Sequence, residues 1–464
     1  MLDKGGKSIV ALMAALLVAI FAFQLNASML SPALTTMQNE LHTSAAQIGL
    51  IQTVFYTSAA LFALFLPRLA DIVGRKKVLL GILIATTVGC IISAIAPNVP
   101  ILMFGRILQG TAGPLLPICL IMLHVRITDE KRYATLMAIL SSVNGGIAGV
   151  DALLGGWLAG TFGFRSVFAA MALVAIAAII MVWIFTDEST AADTPKMDWL
   201  GVVFLVLAFL ATYLAINEIQ KLAAANWALV AILFVAAVIC FIVFWQVEKR
   251  KKDPMVATHY LKQRRTWGLL STTLLTMTGV FAIMNGVVPA IAQDTKFGTG
   301  LSASVVSFAT LTPYALVGLI FGPVAGKLAG KFGYRPVLRV GLIVTILGAI
   351  FGIFVAHDPA IWALVLISVL LGVSYAGTAN IMLNGLGIVL SPADNTGYLP
   401  GMNAGAFNLG SGLSFAILYA FMNAFTKSGG PVMGYSAAMV AGLVLLLLAF
   451  ACSFLIPKPE GDQA

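Results

Sequence analysis

The sequence predicts an all-α polytopic membrane protein with 14 transmembrane helices, arranged as two six-helix halves plus a two-helix insert. Three observations predict it. First, the 464-residue chain is 60% hydrophobic and 10% charged, with a mean hydropathy of +1.00. Soluble domains run at roughly 45–50% and 25%, and no water-soluble core could cover this much apolar sequence. Second, fourteen apolar runs reach the ~20 residues that a hydrocarbon core requires. They are 8–30, 45–66, 78–96, 101–124, 133–160, 164–186, 197–217, 226–246, 266–291, 302–323, 337–356, 360–388, 399–425 and 432–456. Third, a short basic stretch, Leu66-Pro67-Arg68-Leu69-Ala70-Asp71-Ile72-Val73-Gly74-Arg75-Lys76-Lys77, returns as Gly326-Lys327-Leu328-Ala329-Gly330-Lys331-Phe332-Gly333-Tyr334-Arg335. Leu69-Ala70 and Gly74 fall in register with Leu328-Ala329 and Gly333, which points to a chain built from two related halves.

The loops check the count. With the N-terminus inside, the short segments 66–78, 125–133, 247–265 and 324–339 carry eighteen Lys and Arg, while the outside segments carry Arg165, Lys221, Lys296 and Lys427. That asymmetry follows the positive-inside rule and places both termini in the cytoplasm. It also accounts for the net charge of +9 without nucleic acid as a partner. The repeated basic stretches fall between spans 2–3 and 10–11. The chain therefore divides into 1–190, an N-terminal six-helix half; 191–262, a two-helix insert and basic linker; and 263–464, a C-terminal six-helix half. The first run is too long for a signal peptide and is expected to be a retained helix. The basic run Lys249–Lys252 suits anionic headgroups of the bilayer.

The stretch 66–77 resembles the signature between the second and third helices of the major facilitator transporters, Gly-x-Leu-Ala-Asp-x-x-Gly-Arg-Lys. Leu69, Ala70, Asp71, Gly74, Arg75 and Lys76 match, and Pro67 stands where glycine is usual. Gly74 permits the tight turn, and Asp71 and Arg75 are four apart, able to pair on a helix. The resemblance implies gating by Asp71, Gly74 and Arg75. It has Asp71 capping a second-half helix near Tyr398–Gly401 when the inner gate is shut. Gly105-Arg106-Ile107-Leu108-Gln109-Gly110 is similar to the fourth-helix signature Arg-x-x-Gln-Gly, whose arginine is implicated in proton coupling. With the insert, the chain resembles the fourteen-span branch of the superfamily, mostly drug:proton antiporters working by alternating access.

Charge inside a membrane is costly, so each instance is a functional candidate. Arg106 lies about six residues from the outer end of span 4 and Asp151 about nine from that of span 5, so at ~1.5 Å per residue they reach similar depth. The expectation is a proton-coupling Arg106–Asp151 pair, made in one state and broken in the other; a purely structural ion pair is the alternative. Two spans depart from the family. Antiporters of this group carry Gly-Pro-x-Leu-Gly-Gly in span 5; Leu154, Gly155 and Gly156 match, but Asp151 and Ala152 replace the Gly-Pro pair. In span 1 Asn26 stands where an acid is usual. Uncharged polar groups are plentiful instead, and amides suit a neutral solute with hydroxyl or amide groups. The substrate-binding candidates are Gln24, Asn26, Gln52, Tyr56, Asn285, Tyr314 and Asn380, toward mid-span where such transporters bind. Phe281, Met284 and Phe407 are candidate apolar walls.

Other classes find no support. Cys90, Cys119, Cys240 and Cys452 all lie in apolar runs, without metal spacing, and read as packed thiols. The four histidines are scattered, there is no HExxH or Walker loop, and no enzyme, metal or cofactor is expected. The expected activity is proton-coupled transport of a small organic solute, of the multidrug-efflux type. The alternative is proton-linked uptake of a neutral polar solute such as a nucleoside. The protein is expected to work as a monomer in a bacterial cell membrane.

Overall fold

The computed structural model describes residues 8–127, 136, 139, 140, 150–190, 197–219, 221, 225–251, 254, 258–392 and 398–459. Among them, thirteen helices are long and apolar enough to span a membrane. With the shorter apolar helix Val150–Phe162 they run α1 Ile9–Glu40, α2 Ala45–Val73, α3 Arg75–Ile95, α4 Val99–Arg126, α5 Val150–Phe162, α6 Phe164–Phe185, α7 Trp199–Ile219, α8 Trp227–Arg250, α9 Arg264–Gln293, α10 Ala303–Phe332, α11 Tyr334–His357, α12 Ile361–Val389, α13 Tyr398–Gly429 and α14 Pro431–Leu455. Half of the expected span 133–160 lies outside the described residues, and α5 covers its final part.

Two expected loops turn out to be helix. α2 continues through the basic stretch to Val73 and the chain reverses at Gly74, with φ of +122°. α10 likewise runs to Phe332 and turns at Gly333, φ +84°. Such φ values favour glycine, which explains why the repeat conserves one in both copies. The helices outrun the hydrocarbon run because their polar ends continue the hydrogen-bond ladder in the interfacial region.

Prolines set the interruptions. A proline cannot donate to the carbonyl four residues back. α1 stops at Ser28, four before Pro32, and resumes through the 3-10 turn Ser31–Ala33 into Leu34–Glu40. α4 tightens at Gly110–Ala112 ahead of Pro114. In α9 the residues before Pro289 form a π-turn, Ile283–Val287. α10 breaks at Thr310, three before Pro313. α12 carries a π-segment at Gly372–Ala379 with no proline in it; nothing in the local sequence explains that one.

The helices before residue 190 and those after 263 meet at one end. Gly49 of α2 stands against Tyr419 and the Phe415 carbonyl of α13, so close that a Cβ would fall 2.7 Å from Tyr419 Cβ. Thr53 Oγ1 lies 2.9 Å from the Gly412 carbonyl it can donate to. Gly156 of α5 lies against the Ala303 carbonyl of α10, and Ser307 donates to the Ala152 carbonyl at 2.9 Å. Ser31 of α1 reaches Asn285 of α9 at 3.4 Å, and Gln293 reaches the Pro32 carbonyl at 3.3 Å. Toward the other end the structure loosens. α2 is almost wholly buried from Ala46 to Leu61 and half-open from Phe62, and α13 is mostly buried from Gly410 to Tyr419 and mostly half-open below it. A Cβ on Gly401 or Gly405 would find nothing within 4 Å. The sealed end is the one that the loop charges assign to the outside, and the open end carries the basic segments.

α7 and α8 pack on each other, and α7 leans on the early helices, with Tyr213 Oη 3.3 Å from Met103 Sδ. α8 turns Ile232, Phe234, Val235, Ile239 and Phe241 outward, an apolar surface suited to lipid. At the α7 start Asp198 accepts from the Gly201 N–H at 3.0 Å and pairs with Lys251 Nζ at 3.3 Å. Burial works to raise the Asp198 carboxyl, but the Gly201 N–H, Lys251 and a hydrogen bond shared with the Glu248 carboxyl outweigh it and hold the group below its ordinary value.

Candidate transport site

The break in α1 organises the polar centre. A helix that ends at Ser28 leaves its last carbonyls without helical donors. Three consecutive residues there each meet a side chain from a different helix. The Asn26 carbonyl accepts from Arg106 Nη1 of α4 at 3.2 Å. The Ala27 carbonyl accepts from the Tyr56 hydroxyl of α2 at 2.6 Å. The Ser28 hydroxyl donates to Asp151 Oδ2 of α5.

Arg106 is fully buried, and its charge is met by neutral oxygens. Nη1 also donates to Gln109 Oε1 and Nη2 to Gln52 Oε1, both at 2.7 Å, and the guanidinium lies 4.0 Å over the Phe55 ring. Gln109 is itself held by donating to Ser93 Oγ at 2.9 Å. A buried cation needs such a set of acceptors, and the negative end of α1 favours it further. The expected Arg106–Asp151 ion pair is not made in this conformation. Depth along the helices matched, but Arg106 faces Gln52, Gln109 and Asn26 while Asp151 faces Ser28. Asp151 is 3% exposed, and its Oδ1 lacks a hydrogen-bond partner among the described residues.

The other candidates fall into distinct places. Gln24 is half-buried and donates to Ser28 Oγ at 3.2 Å. The Asn26 side chain is committed inside the early helices, to the Ala22 carbonyl at 2.8 Å and Cys90 Sγ at 3.4 Å. It supports the centre and does not offer its amide to a solute. Gln52 is fully buried, and its Nε2 has no hydrogen-bond partner among the described residues. Asn285 lies in the seam, donating to the Phe281 carbonyl at 3.1 Å and accepting from Ser31. Tyr56 packs edge-on to Phe281 at 5.2 Å and parallel to Phe415 at 6.3 Å, so one aromatic cluster joins both sets of helices. Tyr314 is half-buried, and Asn380 accepts from Asn384 Nδ2 at 3.0 Å. Phe407 is half-buried and Met284 fully buried.

The signature stretch is engaged by the early helices. Asp71 and Arg75 pair at 2.7 Å. Glu188, just after α6, caps α3 by accepting from the Lys76 and Lys77 N–H groups at 2.9 and 3.2 Å, a carboxylate at a helix N-terminus. The expected approach of Asp71 to Tyr398–Gly401 belongs to the state closed at the basic end, which this is not. There the linker touches both sets: Arg68 Nη1 donates to the Pro254 carbonyl at 2.7 Å, and Tyr260 lies 4.8 Å from Tyr398.

Ser28, Ser31, Phe55, Glu188 and Ser307 were not singled out from sequence. Ser28 had a usable signal: one turn after Gln24, four before a proline, at a helix end.

Comparison with known proteins agrees with this architecture. The family model described as Major Facilitator Superfamily matches residues 16–415 and 269–464. A uridine/deoxyuridine transporter of Lactococcus lactis subsp. cremoris (strain MG1363) is 64% identical over 458 residues, 98% of this chain and 95% of that protein. The multidrug resistance protein Stp of Mycobacterium tuberculosis (strain CDC 1551 / Oshkosh) is 24% identical over 413 residues, 88% of this chain and 75% of that one. Among solved structures, the nucleoside transporter NupG has a TM-score of 0.65 at 15% identity, covering 96% of this chain and 100% of that one. A peptide transporter, POT, bound to alafosfalin has a TM-score of 0.67 at 16% identity, covering 96% and 95%. These two identities speak for the fold alone. The expectation of multidrug-type efflux is overturned: the relative 64% identical across nearly the whole chain is a nucleoside transporter. The protein is a multi-pass bacterial membrane transporter of a small molecule and not an enzyme. Its chain belongs to the major facilitator superfamily.

Proposed function

We propose that the protein takes up a pyrimidine nucleoside such as uridine or deoxyuridine together with protons, by alternating access. The carrying observation is the 64% identity, over 98% of the chain, to a uridine/deoxyuridine transporter. The polar centre supports it. Amide and hydroxyl groups dominate, as a neutral nucleoside requires, and the remaining carboxyls of the described spans stand near helix ends. Asp151 is the proton site, and Arg106 is the fixed positive charge against which its charge state is set. Gln24, Gln52, Tyr56, Asn285, Tyr314 and Asn380 surround the solute path as lining or seam groups. Asp71, Gly74 and Arg75 gate the basic end.

In this reading fourteen helices divide as 1–190, 191–262 and 263–464, with both termini cytoplasmic and a monomer as the working unit. The fourteen-span layout is that of the drug:proton antiporter branch, used here for uptake. The test is labelled uridine entering right-side-out vesicles under an imposed inward proton gradient. Uptake driven by the gradient and competed by deoxyuridine supports the reading. Indifference to the gradient removes the proton, and failure to carry uridine removes the substrate.

A further inference from the structure

The hydrogen bonds around Ser28 form a relay between the half-open face of α1 and the buried acid. On α1 the half-open residues Ala11, Ala14, Leu17, Val18, Phe21 and Gln24 recur every three to four positions, one stripe of the helix, and beyond Gln24 every residue to Leu34 is buried. Gln24 is therefore the last open position before the seal, and a glutamine there fits water better than lipid. Its amide donates to Ser28 Oγ at 3.2 Å. Ser28 Oγ in turn lies within reach of two acceptors, Asp151 Oδ2 and, at 3.0 Å, the Gln24 backbone carbonyl. A hydroxyl has one proton and two lone pairs, so it serves one of those acceptors at a time.

We propose that Ser28 is a positioning residue for proton coupling, a hydroxyl switch that ties the protonation state of Asp151 to the cavity-facing amide of Gln24. The inference rests on the proton-linked reading above. When Asp151 is a carboxylate, Ser28 turns its proton toward Oδ2, adding a hydroxyl donor to the backbone N–H groups of Asp151 and Ala152, because a buried charge is costly without donors. When Asp151 carries a proton, that proton donates to Ser28 Oγ and the serine turns to the Gln24 carbonyl. The same oxygen receives the Gln24 amide in both cases, but as a strongly polarised acceptor only in the first. A solute that draws the Gln24 amide away weakens the serine's hold on the carboxylate and favours proton uptake; the converse follows by reciprocity.

The neighbours leave this switch in charge. Tyr56 of α2 is within electrostatic reach of Asp151 and of Arg106, but its proton is committed to the Ala27 carbonyl. The Arg106 bonds of α4 go to neutral oxygens. α10 presents Ser307, whose proton goes to the Ala152 carbonyl.

The experiment uses purified full-length protein in proteoliposomes with labelled uridine, read in two modes: accumulation driven by a proton gradient, and gradient-free exchange against internal uridine. For Ser28→Ala the accumulation ratio falls to unity and the pH dependence of uptake flattens, while exchange continues. Ser28→Thr, which keeps the hydroxyl, restores accumulation. If Ser28→Ala accumulates uridine as the unaltered protein does while Asp151→Asn does not, the switch is refuted and proton coupling at Asp151 stands. If Asp151→Asn also accumulates normally, both fall. If Ser28→Thr fails where its exchange is intact, the serine acts through packing and the switch is again refuted.

Discussion

Gly156→Ala is the sharpest probe of the outer seal. An added Cβ would sit 2.3 Å from the Ala303 carbonyl oxygen, where van der Waals contact for such a pair is about 3.2–3.5 Å. The oxygen is backbone and cannot swing aside, so α5 and α10 must part by ~1 Å. The Ser307 to Ala152 hydrogen bond, one turn away at 2.9 Å, stretches beyond bonding range and loses about 0.5–1.5 kcal/mol. Overpacking adds about 1–3 kcal/mol. The sum, ~3 kcal/mol, shifts the population toward the outward-open state by about 150-fold. The protein still folds, because the strain exists in the sealed state alone. The readout is labelling of Asn285→Cys, 7% exposed beneath the seal, by a membrane-impermeant maleimide applied outside, in a background without the native cysteines. Labelling should accelerate by one to two orders of magnitude. Gly401→Ala, with nothing within 4 Å of its Cβ, is the control and should change nothing. An unchanged rate in Gly156→Ala means that the α5–α10 contact is not part of the outer seal.

Three further outcomes follow from the same geometry. Arg106→Lys keeps the charge, but one ammonium cannot span Asn26, Gln52 and Gln109; at least one buried oxygen loses its donor, costing about 1–3 kcal/mol, seen as a lower Tm of the purified protein. Gly74→Ala forces a side chain into φ +122° and into Glu188, 2.6 Å from the new Cβ, costing about 1–3 kcal/mol from strain alone; an unchanged Tm would show that the α2–α3 turn can relax freely. Asp198 has a depressed carboxyl, so its stabilisation is full above the unfolded value of about 3.9 and is lost as pH falls through the lower folded value. Asp198→Asn should therefore lower Tm at pH 7, and the gap from the unaltered protein should narrow only below pH ~4; a gap already closed at pH 5–6 contradicts the lowered carboxyl.

Spans and turns were legible because the signals are local. Hydropathy averages over a whole span, and the prolines that interrupt α1, α4, α9 and α10 mark their own break points three to four residues upstream. Partner choice was not legible. Sequence gives height along a helix at ~1.5 Å per residue, but not the azimuth at which a side chain leaves a packed helix. Arg106 and Asp151 therefore looked like partners by depth, whereas rotation about α4 and α5 turns one toward Gln52 and the other toward Ser28. Asn26 misled differently. An amide mid-span reads as a solute contact until the Ala22 carbonyl and Cys90 are seen to occupy it. The Glu188 cap joins residues 112 apart in the chain, and no local pattern announces such a pairing.

The position of Arg106 follows from Pro32 more than from any acid. Had α1 continued as a regular helix past Ser28, the Asn26 and Ala27 carbonyls would already accept from the N–H groups of Leu30 and Ser31, making them weaker and less accessible acceptors for Arg106 and Tyr56. Pro32 has no N–H for Ser28 and ends the helix there. The exposed carbonyls, at the negative end of the α1 dipole, stand in for the counter-ion that Asn26 does not supply. Replacing Pro32 with alanine tests this order of causes. A healed α1 would withdraw the two carbonyls, leaving Arg106 with the glutamines alone and the Tyr56 hydroxyl without its acceptor. The expected result is a loss of stability, read as a lower Tm of the purified protein. If Pro32→Ala is as stable as the unaltered protein, the helix break is not what holds the buried charge.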